Sequence, residues 1–514
     1  MKGADTKTYV TYFQDLLLLI LIICTFLEMF FFPSWDNLFG AIVSIISFIL
    51  YKRYVFRIYV MRNRPISFIA FSTLILFMYL PLPITLLDGN EMSHNLINPK
   101  TTYLLQLLYF VCCIIAFKWA GKYSKKHHGL AIILKKMGIF STPTPRQLWA
   151  LGLIGWFFKY LRMGAQFSDA GIAGAGTISI FAILIYAPLL LLFYPLIGGF
   201  PISKIHKYFA FFYMLVMMIL MIATNSRNQL ITPLLTVLIC YVISILYKNK
   251  LFFSTKKLIT LLFLSFVVIG PLSDMAFAML IVRAQRHDTS FIQLLESTLE
   301  TYNDKESLYK LKSIADRDNA ESRYTNSLDW DEYYVSSIFL NRVCNYRVAD
   351  ASIYHAQKAG MSNQYMIDDF VTRLKIMFPQ PIVDFLFGHI DKSKYIYSPQ
   401  DILYAISYSK GDLGGFKVGG DVGLTLSIFG FWAFPIFIFF YMIEFFLFDN
   451  LIWKRQNKII FSHLILINIY LTYFLRFQVA GGIYGHIAFI IWNFPISILY
   501  LSTVYYVVRH IIRR

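Results

Sequence analysis

Runs of apolar residues long enough to cross a bilayer recur along most of this chain, and they restrict its fold more than any other feature. A spanning helix needs about 20 mostly apolar residues. In lipid only helices and closed barrels satisfy their own backbone. Twelve such runs are read at 11–32, 38–54, 66–86, 101–120, 147–165, 177–198, 207–224, 229–247, 258–282, 422–447, 458–476 and 485–507. Composition agrees, since 57% of the 514 residues are hydrophobic and only 15% are charged, too little charge for a soluble domain. The first run has no small-residue cleavage site behind it and reads as a retained helix. The expected fold is an all-α polytopic membrane protein.

The net charge of +18 would suit a nucleic-acid partner, but its distribution excludes one. Residues 283–421 hold 16 Lys+Arg against 19 Asp+Glu, a net of −3, which leaves +21 on the rest of the chain. Those cations gather in alternate connectors, such as Lys52–Arg64, Lys118–Lys136, Lys248–Lys257 and Lys454–Lys458, and at both termini. Connectors 33–37 and 87–100 lack such clusters. This alternation is the positive-inside pattern. It places both termini in the cytoplasm and the long segment after the ninth run outside. The basic stretch 118–146 reads as a surface helix that holds anionic membrane lipids.

The chain thus divides into nine spans in 1–282, a large polar loop in 283–421 and three spans in 422–514. Within the loop, 290–312 and 333–359 have helical spacing. Residues 368–387 mix Phe, Ile and Leu with Arg373 and Lys375, too short and charged to span, and are expected in the interface. Tyrosines are dense here, among them Tyr333, Tyr346, Tyr395, Tyr397 and Tyr404. A tyrosine joins a flat apolar face to a hydroxyl, which suits sugar rings, although membrane-interface belts share this composition.

Candidate chemistry rests on a few polar residues. Arg342, Arg347 and Asp350 fall on one helical stretch, where residues three or four apart share a face. Arginine suits phosphate because its planar fork donates two parallel hydrogen bonds. Arg162, Arg227 and Arg476 lie at the outer ends of spans, against the positive-inside trend. Each can either snorkel to headgroups or join a phosphate pocket. Asp274 follows Gly270-Pro271 inside an apolar run, where an ionisable group signals function or an arginine partner. Glu28 and Glu444 lie toward span ends and read as snorkelled or paired. His355 and His486 are the histidines best placed for a general base near neutral pH. No His-Glu-x-x-His or Asp-x-Asp pattern supports a metal, and the five cysteines form no framework. No metal or cofactor is expected.

Three stretches carry a resemblance. Asn225-Ser226-Arg227-Asn228 before an apolar run, the loop arginines Arg342 and Arg347, and Gly419-Gly420-Asp421 through Phe429-Gly430-Phe431-Trp432 are similar to segments of the bacterial oligosaccharide repeat-unit polymerases (Wzy-type) and the related O-antigen ligases. Asp421 stands where that family has glutamate. The resemblance implies a GT-C-like fold of about 12 transmembrane helices with one large, mainly helical extracytoplasmic loop in the bacterial inner membrane. It implies a glycosyltransferase that joins undecaprenyl-pyrophosphate-linked oligosaccharides into surface polysaccharide, with a chain-length regulator and a flippase as partners. On that reading Arg342, Arg347, Arg227, Arg476 and Arg162 hold pyrophosphate or glycan, and Asp350, His355 and Asp274 are candidate bases. The rivals are a ligase-type glycan transferase and a flippase or transporter. A transporter would be expected to show matching broken helices in two halves, and the sequence shows no such symmetry.

Overall fold

The computed structural model describes residues 6–124, 129–166, 175–222, 227–248, 271, 274–282, 291–311, 313, 330–337, 340–395, 397–408, 413, 417–455, 458–477 and 481–512. They are almost entirely helical. Eight described helices are long and apolar enough to cross a membrane, or nine if one bent pair is a single span. The chain is therefore a helical membrane protein by length and composition of its helices. Its helices group into two compact units.

The first unit comprises Met1–Lys126, Arg317–Phe448 and Leu475–Pro495. Its spans are Thr6–Phe31, Trp35–Tyr54 and Pro99–Ser124, the broken pair Pro65–Tyr79 and Pro81–Leu87, and Asp421–Phe429 continued by Ala433–Asp449. Local chemistry sets several starts. Ser34 accepts the Asn37 amide at 3.1 Å, a side-chain N-cap. Pro65 opens its helix where a missing N–H costs nothing. Pro81 starts a second piece, and the two are bent by 48°, so the run at 66–86 is not one straight helix. The centre is aromatic. Phe71, Phe110, Phe117, Phe437, Tyr441, Phe445 and Phe448 are all buried, with Phe71 edge-on to Phe117 at 5.3 Å and Phe117 edge-on to Phe445 at 5.1 Å.

The loop helices of this unit are Asn341–Cys344, Tyr346–Ala359, Gln364–Ile376, Gln380–Phe387 and Pro399–Tyr408. The helix expected across 333–359 is interrupted at Asn345 (φ −76°, ψ 88°), whose side chain instead caps the next helix by accepting from Val348. Tyr346–Ala359 packs against Asp421–Phe429. A Cβ on Gly423 would lie 2.3 Å from the Ser352 carbonyl carbon, so the contact requires glycine. The Gly-rich entry to the tenth run is thereby a packing surface. Ser352 Oγ accepts the Gly420 amide at 2.7 Å and fixes the same approach.

The second unit comprises His127–Asp316, Asp449–Phe474 and Ile496–Arg514. Pro145–Gln166, Lys204–Ile222 and Arg227–Lys248 surround Ile183–Ile197, a tightly wound helix interrupted by Pro188, Pro195 and the non-helical Phe193. Pro145–Gln166 is long enough to span but less apolar than the eight. The run at 458–476 is not a continuous helix. It starts as an antiparallel hairpin, Ile452–Arg455 with Lys458–Phe461, and continues as the short helices His463–Leu466 and Ile469–Phe474. Of the run at 258–282, residues 258–270, 272 and 273 lie outside the described residues.

Candidate functional site

In the first unit, the loop exit leads into a buried chain of ionisable groups. Asp421 opens its helix after Gly420, where the unpaired amides and the helix dipole favour a carboxylate. Its Oδ1 accepts the Gly482 amide at 2.9 Å. Its Oδ2 lies 3.4 Å from His486 Nε2 and 3.4 Å from the hydroxyls of Tyr109 and Tyr441, which bond each other. On the far side of the ring, His486 Nδ1 meets Glu444 Oε1 at 2.9 Å. Arg476 forks onto the same carboxylate, Nη2 to Oε1 at 2.8 Å and Nε to Oε2 at 3.1 Å. Nη2 also donates to the Gly485 carbonyl at 2.8 Å. The Arg476 guanidinium lies 4.2 Å over the Phe489 ring, and Tyr441 stands edge-on to His486.

The order is carboxylate, imidazole, carboxylate, guanidinium. Glu444 and His486 are fully enclosed, while the Asp421 side chain is 8% and that of Arg476 11% exposed. Acids and bases alternate, so each ionisable group has a polar neighbour, which low-dielectric surroundings demand. The two ring nitrogens face opposite carboxylates, so the imidazole separates them. Among the described residues no group of three or more His, Cys, Asp or Glu could hold a metal ion. Such an arrangement suits proton transfer. Glu444 can fix the tautomer at Nδ1 and leave Nε2 as the reactive nitrogen.

Of the residues singled out for chemistry in the sequence, this site gathers Arg476 and His486, while Asp421 stood there only in the stretch that carries the resemblance. Others lie elsewhere. Arg347 is fully buried, with Nη1 3.5 Å from Asp350 Oδ2. Asp350 accepts from the Ile97 amide at 2.5 Å, the Asn98 amide at 3.0 Å and Thr102 Oγ1 at 2.7 Å. It ties the loop helix to the 88–98 connector. Asn95 extends the tie by donating to Asp331 at 2.6 Å and to the Tyr333 carbonyl. Burial pushes the Asp350 carboxyl above its ordinary range, and the two amides, Thr102 and Arg347 pull against that rise.

His355 sits in an aromatic cage. Trp330 stacks on it at 5.1 Å, Tyr404 and Tyr408 lie at 5.2 and 5.4 Å, and Nδ1 bonds Ser407 Oγ at 2.7 Å. Burial, with Lys358, Arg347 and Lys417 adding to it, pushes its pKa down to about 3. It is a neutral ring that holds the loop together. Asp274 belongs to the second unit, where Lys305 approaches it at 3.4 Å. The side chains of Arg162, Arg227 and Arg342 lie outside the described residues.

Sequence reading missed the central place of Glu444 and the paired hydroxyls of Tyr109 and Tyr441. A signal for Glu444 was present: an acid in an otherwise apolar run is a functional candidate by default. No protein-family model, curated protein or solved structure matches this chain.

Proposed function

We propose that this chain is a membrane glycosyltransferase that joins undecaprenyl-pyrophosphate-linked oligosaccharide repeat units into surface polysaccharide. On this reading the protein has twelve spans in the bacterial inner membrane, cytoplasmic termini and an extracytoplasmic loop. The observation that carries it is the convergence of Asp421, from the loop-exit stretch that resembles the repeat-unit polymerases, with Arg476 and His486 from the last two apolar runs. Residues chosen separately for base and phosphate chemistry meet within hydrogen-bonding reach.

The reaction forms a glycosidic bond between the acceptor hydroxyl and the donor's anomeric carbon and breaks the bond from that carbon to the lipid pyrophosphate. Asp421, the more exposed acid, meets the acceptor hydroxyl. His486, behind it, takes the proton on Nε2, and Glu444 offsets the resulting charge at Nδ1. The leaving pyrophosphate requires cations. Arg476 supplies one through Nη1, because Nε and Nη2 already serve Glu444 and Gly485. Arg342, in the same unit, is a further candidate.

Deletion of the gene, followed by gel analysis of surface polysaccharide, tests this. A single repeat unit in place of a ladder is expected. Loss of attached glycan with lipid-linked polymer retained would instead make the chain a ligase. An unchanged pattern overturns both.

A further inference from the structure

A second polar cluster lies beside the buried chain, and no step above uses it. The helix Gln364–Ile376 packs on Asp421–Phe429 and on Ile483–Ala488, the helix that carries His486. Asp369 and Arg373, one turn apart on this helix, pair at 2.6 Å through Oδ2 and Nε. Arg373 Nη2 donates to the Tyr397 carbonyl at 3.0 Å, and its guanidinium lies 5.3 Å from the centre of the Tyr397 ring. Tyr395 lies beside Tyr397, ring centres 6.1 Å apart. Tyr484, two residues before His486, stands on the helix Ile483–Ala488 that packs against Gln364–Ile376.

Two features of this cluster ask for a ligand. The Asp369 side chain is 8% exposed, and its Oδ1 has no hydrogen-bond partner among the described residues. A buried carboxylate oxygen left unpaired is costly, so a donor there would be bound strongly. The three tyrosines, by contrast, are only half-buried. A carboxylate that accepts, a guanidinium that donates and flat aromatic faces for C–H contact are together the recognition set for a sugar ring.

We propose that Asp369, Arg373, Tyr395, Tyr397 and Tyr484 form a sugar-binding subsite that holds the acceptor's terminal hexose next to Asp421. The placement rests on the transferase reading, while sugar binding itself can be measured apart from it. Asp369 Oδ1 accepts a ring hydroxyl, and Tyr397 with Tyr484 covers the ring face.

The full chain in detergent is probed by saturation-transfer NMR with methyl glucopyranoside, galactopyranoside, mannopyranoside and N-acetylglucosaminide. At least one probe is expected to receive saturation from the wild type. The signal is expected to fall at least fivefold in Asp369→Asn and in Tyr397→Ala, and to survive in Tyr397→Phe. Thermal melting confirms that each variant is folded. Tyr484→Ala, which leaves the Asp369–Arg373 pair intact, serves as a second probe of the ring face. Saturation of no probe, or equal saturation of wild type and all variants, overturns the subsite. If a probe binds as described but gene deletion leaves the polysaccharide unchanged, the subsite stands and the transferase reading falls. If deletion removes the ladder while no probe binds, the reverse holds.

Discussion

Glu444 lies within the apolar helix Ala433–Asp449, where an unpaired carboxylate would be expensive. Arg476 and His486 share it, and removing one member of such a buried set strands the others, at about 3–5 kcal/mol. His355 shows the opposite solution, a ring kept neutral by its cage. Its folded pKa of about 3 lies below its ordinary 6.5, so the unfolded chain binds the extra proton as pH falls between these values. Stability linked to His355 is therefore complete above 6.5 and is lost as pH drops toward 3, by on the order of a few kcal/mol. His355→Phe fills the cage without titrating. Its melting temperature is expected to fall less than that of the wild type between about pH 7.5 and about pH 5; equal losses would refute the assignment. The Arg347–Asp350 pair was legible in the sequence because a three-residue spacing places both on one helical face. The Asp421–His486–Glu444–Arg476 chain was not, because its members are 65, 42 and 32 positions apart along their successive contacts and no local periodicity links them.

Helix contacts follow glycine and proline more than hydropathy. Tyr346–Ala359 reaches Asp421–Phe429 only because Gly423 has no side chain. Gly423→Val would drive a branched Cβ into the Ser352 backbone, and overpacking of this kind costs about 1–3 kcal/mol. Because the same contact seats Asp421, the variant is expected to lower both melting temperature and chain extension, whereas Gly129→Ala, where a Cβ meets nothing within 4 Å, is expected to lower them far less. Equal behaviour of the two variants would show that the contact is dispensable. Most apolar runs correspond to helices, since length and apolarity suffice to encode a span. Breaks within them were harder to read. The bend before Pro81 and the hairpin at Ile452–Phe461 interrupt apolar sequence, and short apolar runs rich in isoleucine suit strand and helix alike.

The molecule holds its candidate chemistry in the first unit, where the loop helices pack on Pro65–Tyr79, Pro99–Ser124 and Asp421–Phe429. The polar loop that stood out in the sequence contributes less through its arginine helix than through its exit. Arg347 is locked inside, while Asp421 begins the buried chain. The same unit carries the tie between the 88–98 connector and the loop through Asp350 and Asn95, so those two segments share one face of it. The most direct measurement is complementation of the deletion strain, with surface polysaccharide resolved on a gel and membrane levels of the protein checked in parallel. The wild-type gene is expected to restore the ladder, and His486→Gln, present in the membrane at the same level, is expected to leave a single repeat unit. A full ladder from His486→Gln would contradict a catalytic role for the Asp421–His486–Glu444–Arg476 chain.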